Sequence, residues 1–169
     1  MSEKKLAEYY VKRLQELGAV RAKWIDPATV VTAAWVGHKC RFGCPTYGKN
    51  RCCPPNTPTY RETRELLGEY TRALLVEGRT LAETSNIVVA AARELFLDGY
   101  YKVIALGSGP CTLCETCAPE GCRFPGKAIP SMEACGVDVF ATVRANGYDI
   151  DVVKGRGDEM TAFGLLLVE

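Results

Sequence analysis

Eight of the nine cysteines fall in two tight groups, and thiol chemistry is the most specific chemistry that the residue types offer. The second group is the more regular: Cys111-x2-Cys114-x2-Cys117-x4-Cys122, followed by Arg123-Phe124-Pro125. Two-residue gaps let three successive sulfurs wrap one face of a cubic cluster. Bacterial ferredoxin runs start the same way, with a fourth cysteine three residues on and a proline directly after it. Here the last gap is four residues and the proline is delayed by two, a departure within the same class. In two-cluster ferredoxins the fourth cysteine of a run serves the other cluster, so spacing leaves open which centre Cys122 belongs to.

The first group reads Cys40-x3-Cys44-Pro45-Thr46-Tyr47-Gly48-x3-Cys52-Cys53-Pro54-Pro55. Adjacent cysteines rarely ligate one small ion without strain, so one of Cys52 and Cys53 is expected to be spare. Prolines after Cys44 and Cys53 stiffen the loop and shield a cluster from water. Four cations, Lys39, Arg41, Lys49 and Arg51, accompany these cysteines, with no carboxylate until Glu62. A four-thiolate cluster is anionic, so such cations stabilise it and favour its reduced form; they equally suit a small anionic substrate or partner, or a simple solvated loop. Zinc is the competing metal, because paired two-residue spacing also builds a four-thiolate tetrahedron.

Other chemistries find little footing. His38 is the single histidine, which leaves no serine–histidine–acid set, and it reads as a hydrogen-bonding or surface neighbour of Cys40. No phosphate-cradling Gly-x4-Gly-Lys-Ser/Thr loop occurs, and Gly107-x-Gly109 is only a fragment of a dinucleotide fingerprint. Those two glycines would let backbone amides approach a cluster sulfur, or would simply form a tight turn after a strand. Cys135 reads as a buried apolar residue in a helix.

These residues need a scaffold. The chain has 169 residues, 47% hydrophobic and 24% charged, with a formal net charge of +1. That size predicts one compact domain, residues 1–169, with core enough to need no disulfide. The near-neutral balance excludes a globally basic nucleic-acid binder, and no apolar run is long enough to cross a bilayer. Met1 to Leu17 reads as a charged amphipathic stretch rather than a signal peptide, so a cytoplasmic location is expected, where cysteines are metal ligands more often than disulfides.

Leu6, Tyr9, Tyr10, Leu14 and Leu17 have helical spacing, with Gly18 as the stop. Ala19–Ile25 reads as extended, and the apolar run Val30–Val36 as strand or helix. Thr59 with Glu62, and Thr80 with Glu83, have capping-box spacing and predict helices over Tyr60–Tyr70 and Leu81–Leu97 around a strand at Arg72–Glu77. A strand at Lys102–Leu106 delivers the second cysteine group. A helical region follows from Pro130-Ser131 to Gly147, in which Asp138 is a cap. The chain closes with Ile150–Lys154 and Ala162–Val168 read as a hairpin. The expectation is an α/β domain: a mixed sheet of about five strands flanked by helices, carrying two cysteine-rich metal loops.

Taken together, Cys40...Cys44-Pro-Thr-Tyr47-Gly48...Cys53-Pro54-Pro55, the Cys111 to Cys122 run and Ser131-Met132-Glu133-Ala134-x-Gly136-Val137-Asp138-Val139 resemble a family of predicted metal-binding proteins of archaea and anaerobic bacteria that has no assigned reaction. The resemblance spans roughly residues 30 to 147. It implies metal ligation by Cys40, Cys44 and Cys53 and by Cys111, Cys114, Cys117 and Cys122, and leaves Cys52 outside. The expected function is a cytoplasmic iron–sulfur protein with one or two 4Fe-4S clusters, passing electrons to a redox partner protein in anaerobic metabolism. The alternatives are an enzyme with an open iron in the first group, using Lys39, Arg41, Lys49 or Arg51 to bind a small anion, and a zinc-stabilised binding module.

Overall fold

The computed structural model describes residues 3–169, with side-chain surroundings from Lys5 onward; Met1 and Ser2, the start of the charged N-terminal stretch, lie outside the described residues. Four strands form one sheet: β1 (Arg21–Ile25), β2 (Ala73–Gly78), β3 (Ile104–Leu106) and β4 (Ala162–Leu167), in the order β1-β2-β4-β3. Five helices surround it: α1 (Glu3–Glu16), α2 (Ala34–Gly43), α3 (Tyr60–Leu67), α4 (Leu81–Leu97) and α5 (Val139–Ala145).

Both faces of the sheet are covered, which is why β2 and β4 are apolar at almost every position rather than alternating. Leu74, Val76 and Leu166 face α1 and α4, where Tyr10, Leu14, Val88 and Leu95 complete one core. Ala73, Leu75, Phe163, Leu165 and Leu167 face the other way, onto α3, α5 and the loops, with Met132, Val137, Val143 and Tyr148. Each such leucine removed from water contributes about 1.5–3 kcal/mol. The helix starts follow the sequence signals. Thr59 and Glu62 close a full capping box on α3, and the Thr80 hydroxyl accepts from the Glu83 amide at the start of α4.

Every strand pair is antiparallel, so the expected mixed sheet is not what forms. The crossover β2-α4-β3 does run its two strands in one direction, but β4 inserts between them, antiparallel to both. The expected fifth strand, Ile150–Lys154, is also absent. With β2 and β3 occupying both sides of β4, no place is left for a hairpin partner. The Asp158 carboxylate instead takes the amides of Lys154 (2.7 Å) and Gly155 (3.0 Å), and the Arg144 guanidinium donates to the Ile150 carbonyl.

The ambiguous run Val30–Val36 divides: Thr32 bridges Val137, and α2 begins at Ala34. Cys40 therefore sits near the end of a helix rather than in a loop. The region after Ser131 is likewise two pieces, a 3-10 turn at Glu133–Cys135 and then α5, which Asp138 caps through the Ala141 amide. They part at Gly136, whose φ is +77° and where a Cβ would stand 2.5 Å from that of Tyr60. Only glycine meets both requirements, and it lets the start of α3 press against this turn.

Candidate metal centre

Two long segments without helix or strand carry most of the cysteines, one from the end of α2 to the start of α3 and one after β3. Their meeting is built by two residues between the cysteines. The buried Asn50 donates from Nδ2 to the Cys111 carbonyl (3.1 Å) and accepts the Cys52 amide at Oδ1 (2.9 Å). The Arg51 amide donates to Cys117 Sγ (3.3 Å), and its guanidinium donates to the Pro119 carbonyl (3.2 Å).

Eight thiols then line two adjoining cavities. Cys40, Cys44 and Cys53 line one of about 210 Å³, together with Thr46, Tyr47 and Glu133. Cys111, Cys114, Cys117 and Cys122 line the other, and Cys52 joins them there. This second cavity has a volume of about 20 Å³, room for about one water. Among the described residues no three His, Cys, Asp or Glu side chains converge tightly enough to hold a single metal ion.

Neighbouring cysteines thus part company: Cys53 faces the first cavity and Cys52 the second. The spacing argument treats one of them as spare because it considers only one centre. Cys111 stands between the sets, close enough for its charge to act on both Cys52 and Cys53. Cys135 is in neither set; it is 1% exposed, in the core beneath.

The thiols differ in how easily they ionise. Burial pushes Cys40 and Cys53 up and drives Cys52 up to about 12, where the nearby Cys111 adds to the effect. Cys44 is held below its ordinary value, first by the Thr46 hydroxyl 3.1 Å from its sulfur and then by the Thr46 amide. The same hydroxyl lies 3.4 Å from Cys53 Sγ. Buried thiolates without a counter-charge are costly, so soft cations are the natural complement of this donor set, and binding them would release protons.

The four cations are dispersed. The Lys39 amine lies over the Trp35 ring (5.4 Å) and the Arg41 guanidinium over Phe42 (5.3 Å), both on the exposed side of α2. Lys49 is exposed, and only Arg51 borders a cysteine cavity. His38 stacks on Phe42 at 4.8 Å and borders a separate groove with Arg41 and Tyr60. Gly107 gives its amide to the Pro130 carbonyl (2.8 Å) and abuts Ser85 of α4, so it serves close packing; Gly109 borders the first cavity.

Glu133 was not singled out as a site residue by its sequence context, which places it merely at a helix start. Part of the residue meets solvent, yet its Oε2 is enclosed at the first cavity and accepts no hydrogen bond. Burial pushes its carboxyl up, against its own amide and the Ser131 hydroxyl, which favour the anion.

A helix-flanked antiparallel sheet that gathers eight thiols around two adjoining cavities defines a cysteine-rich metal-binding domain. Residues 23–168 match the family described as predicted metal-binding protein, a domain of unknown function (DUF2284), and the chain belongs to that family. No curated protein and no solved structure matches the chain. No helix among the described residues is long and apolar enough to cross a membrane.

Proposed function

We propose that this chain is a cytoplasmic iron–sulfur protein that holds two 4Fe-4S clusters and carries electrons to and from a redox partner protein in anaerobic metabolism. The observation that carries this reading is the distribution of the donors. Eight thiols line two cavities, locked side by side through Asn50 and Arg51. Three successive cysteines at two-residue gaps, Cys111, Cys114 and Cys117, with further soft donors beside them, suit a polynuclear iron–sulfide core better than a tetrahedral zinc ion.

Cys40, Cys44 and Cys53 would hold one cluster, and Cys52 with Cys111, Cys114, Cys117 and Cys122 would supply the other. The clusters would supply one-electron chemistry. The protein's own part is to exclude water with Pro54, Tyr47 and Phe124, to donate the Arg51 amide to the Cys117 sulfur, and to place Thr46 between Cys44 and Cys53. Amide donors to a ligating sulfur stabilise negative charge there and raise a reduction potential.

Oxygen-free purification followed by iron, acid-labile sulfide and zinc analysis tests the reading. The expected result is brown protein with iron and sulfide in equal amounts. Colourless protein carrying zinc without sulfide would establish the zinc-stabilised module instead.

A further inference from the structure

The first cavity has three cysteines in its wall, one donor short of a closed four-ligand centre. Its wall also contains Glu133, whose Oε2 is the one buried side-chain oxygen or nitrogen without a hydrogen-bond partner among the described residues. Among the ion pairs of the described residues none involves this carboxylate. An enclosed oxygen without a partner is expensive to maintain even where the residue's own amide and the Ser131 hydroxyl favour the anion, and a carboxylate beside an anionic cluster gains most by bonding to the metal directly.

The position of Glu133 is fixed from three sides. The Ala134 carbonyl accepts from the Thr57 hydroxyl (2.6 Å), the Cys135 carbonyl from the Thr63 hydroxyl (2.6 Å) and the Gly136 carbonyl from the Ala33 amide (2.9 Å). Those bonds tie the Glu133 turn to the segment after Cys53, to α3 and to the start of α2, the helix that carries Cys40. These bonds fix the backbone of the turn, and so the point from which the Glu133 side chain reaches the cavity wall.

We infer that the Glu133 carboxylate is the fourth metal ligand of the centre formed by Cys40, Cys44 and Cys53. This rests on the metal-binding reading above, and it closes that centre, leaving no open iron for the alternative of an anion-processing enzyme. A hard oxygen donor among three thiolates also makes one metal position unlike the others and more readily exchanged.

The test uses the full chain, reconstituted without oxygen, as wild type, Glu133→Gln, Glu133→Cys and Cys111→Ser. The readouts are iron and sulfide per chain and the electron paramagnetic resonance of the reduced protein with and without cyanide. Glu133→Gln is expected either to lose the iron of one centre, about half the total, or to keep it with a spectrum that cyanide changes. Wild type should not respond to cyanide. Glu133→Cys, which returns a soft anionic donor and reports that the turn still folds, is expected to restore the iron content and the indifference to cyanide. Cys111→Ser is expected to perturb the other centre and leave the Glu133 site unresponsive to cyanide.

Wild-type iron content in Glu133→Gln with no cyanide response overturns the inference. So does a Cys111→Ser protein that acquires the cyanide response in its place, since that would make Cys111 the fourth ligand. Wild type without iron refutes the iron–sulfur reading alone. The ligand assignment is then decided with cobalt(II)-loaded protein, where Glu133→Gln must weaken the visible ligand-field bands if Glu133 is bound, and unchanged bands overturn it.

Discussion

Asn50 joins the two cysteine segments together with Arg51, and replacing it by alanine isolates its share of that joint. Its amide spans the Cys111 carbonyl and the Cys52 N–H, at 3.1 and 2.9 Å. Asn50→Ala removes two hydrogen bonds worth about 1 kcal/mol each and strands a buried amide at Cys52, so the docked arrangement loses about 2–3 kcal/mol. At about 1.4 kcal/mol per decade, that corresponds to a roughly 30- to 150-fold loss of metal retention. The assay is chelator competition against anaerobically loaded protein, followed optically.

Asn50 lies outside both apolar cores, so the denaturation midpoint of the metal-free protein should hardly move. Asn50→Asp keeps an acceptor for the Cys52 amide but has no donor for Cys111, and its loss should be intermediate. Retention of metal by Asn50→Ala within about threefold of wild type would falsify the idea that these bonds assemble the site.

Cys114→Ala should lose one cluster's iron, whereas Cys135→Ala should keep all of it and cost only about 1–2 kcal/mol of stability, as measured by iron content and denaturant melts. Leu165 is fully buried on β4, so Leu165→Ala should cost about 2–5 kcal/mol with an unchanged denaturant slope. The Arg13 guanidinium, paired at 2.8 Å, holds the Glu94 carboxyl below its ordinary value. That contribution is complete above about pH 4.5 and disappears as pH falls through the lowered folded value; Glu94→Gln should flatten the acid limb of a stability–pH curve. Removing metal should leave the sheet intact by circular dichroism while exposing the 44–58 and 107–128 segments to faster limited proteolysis than in loaded protein.

How much of this was legible in the sequence depended on whether a signal was local. Thr59 with Glu62 and Thr80 with Glu83 announce helix starts because a cap involves only four consecutive residues. Ile150–Lys154 carries apolar residues at strand-like spacing and still fails to pair, because pairing is decided by which strands already flank β4. The same holds for strand direction, which the insertion of β4 between β2 and β3 settles. The two cysteine groups were visible from their spacing. Their partition was not, since it depends on how a turn orients Cys52 and Cys53. Asn50 and Glu133 gave no pattern at all: one matters through a bond to a residue 61 positions away, the other through an enclosure that several elements create.

The Cys52–Cys53 dipeptide has a consequence for how the molecule can be built and altered. With Cα atoms about 3.8 Å apart, these two residues make a single peptide unit the common wall of both chambers. Whichever chamber fills first fixes that unit's orientation for its neighbour, and the benefit must be reciprocal, so loading should be cooperative. A one-residue insertion or deletion at this point would swing one sulfur away from its chamber, which makes the dipeptide the least length-tolerant stretch of the loop.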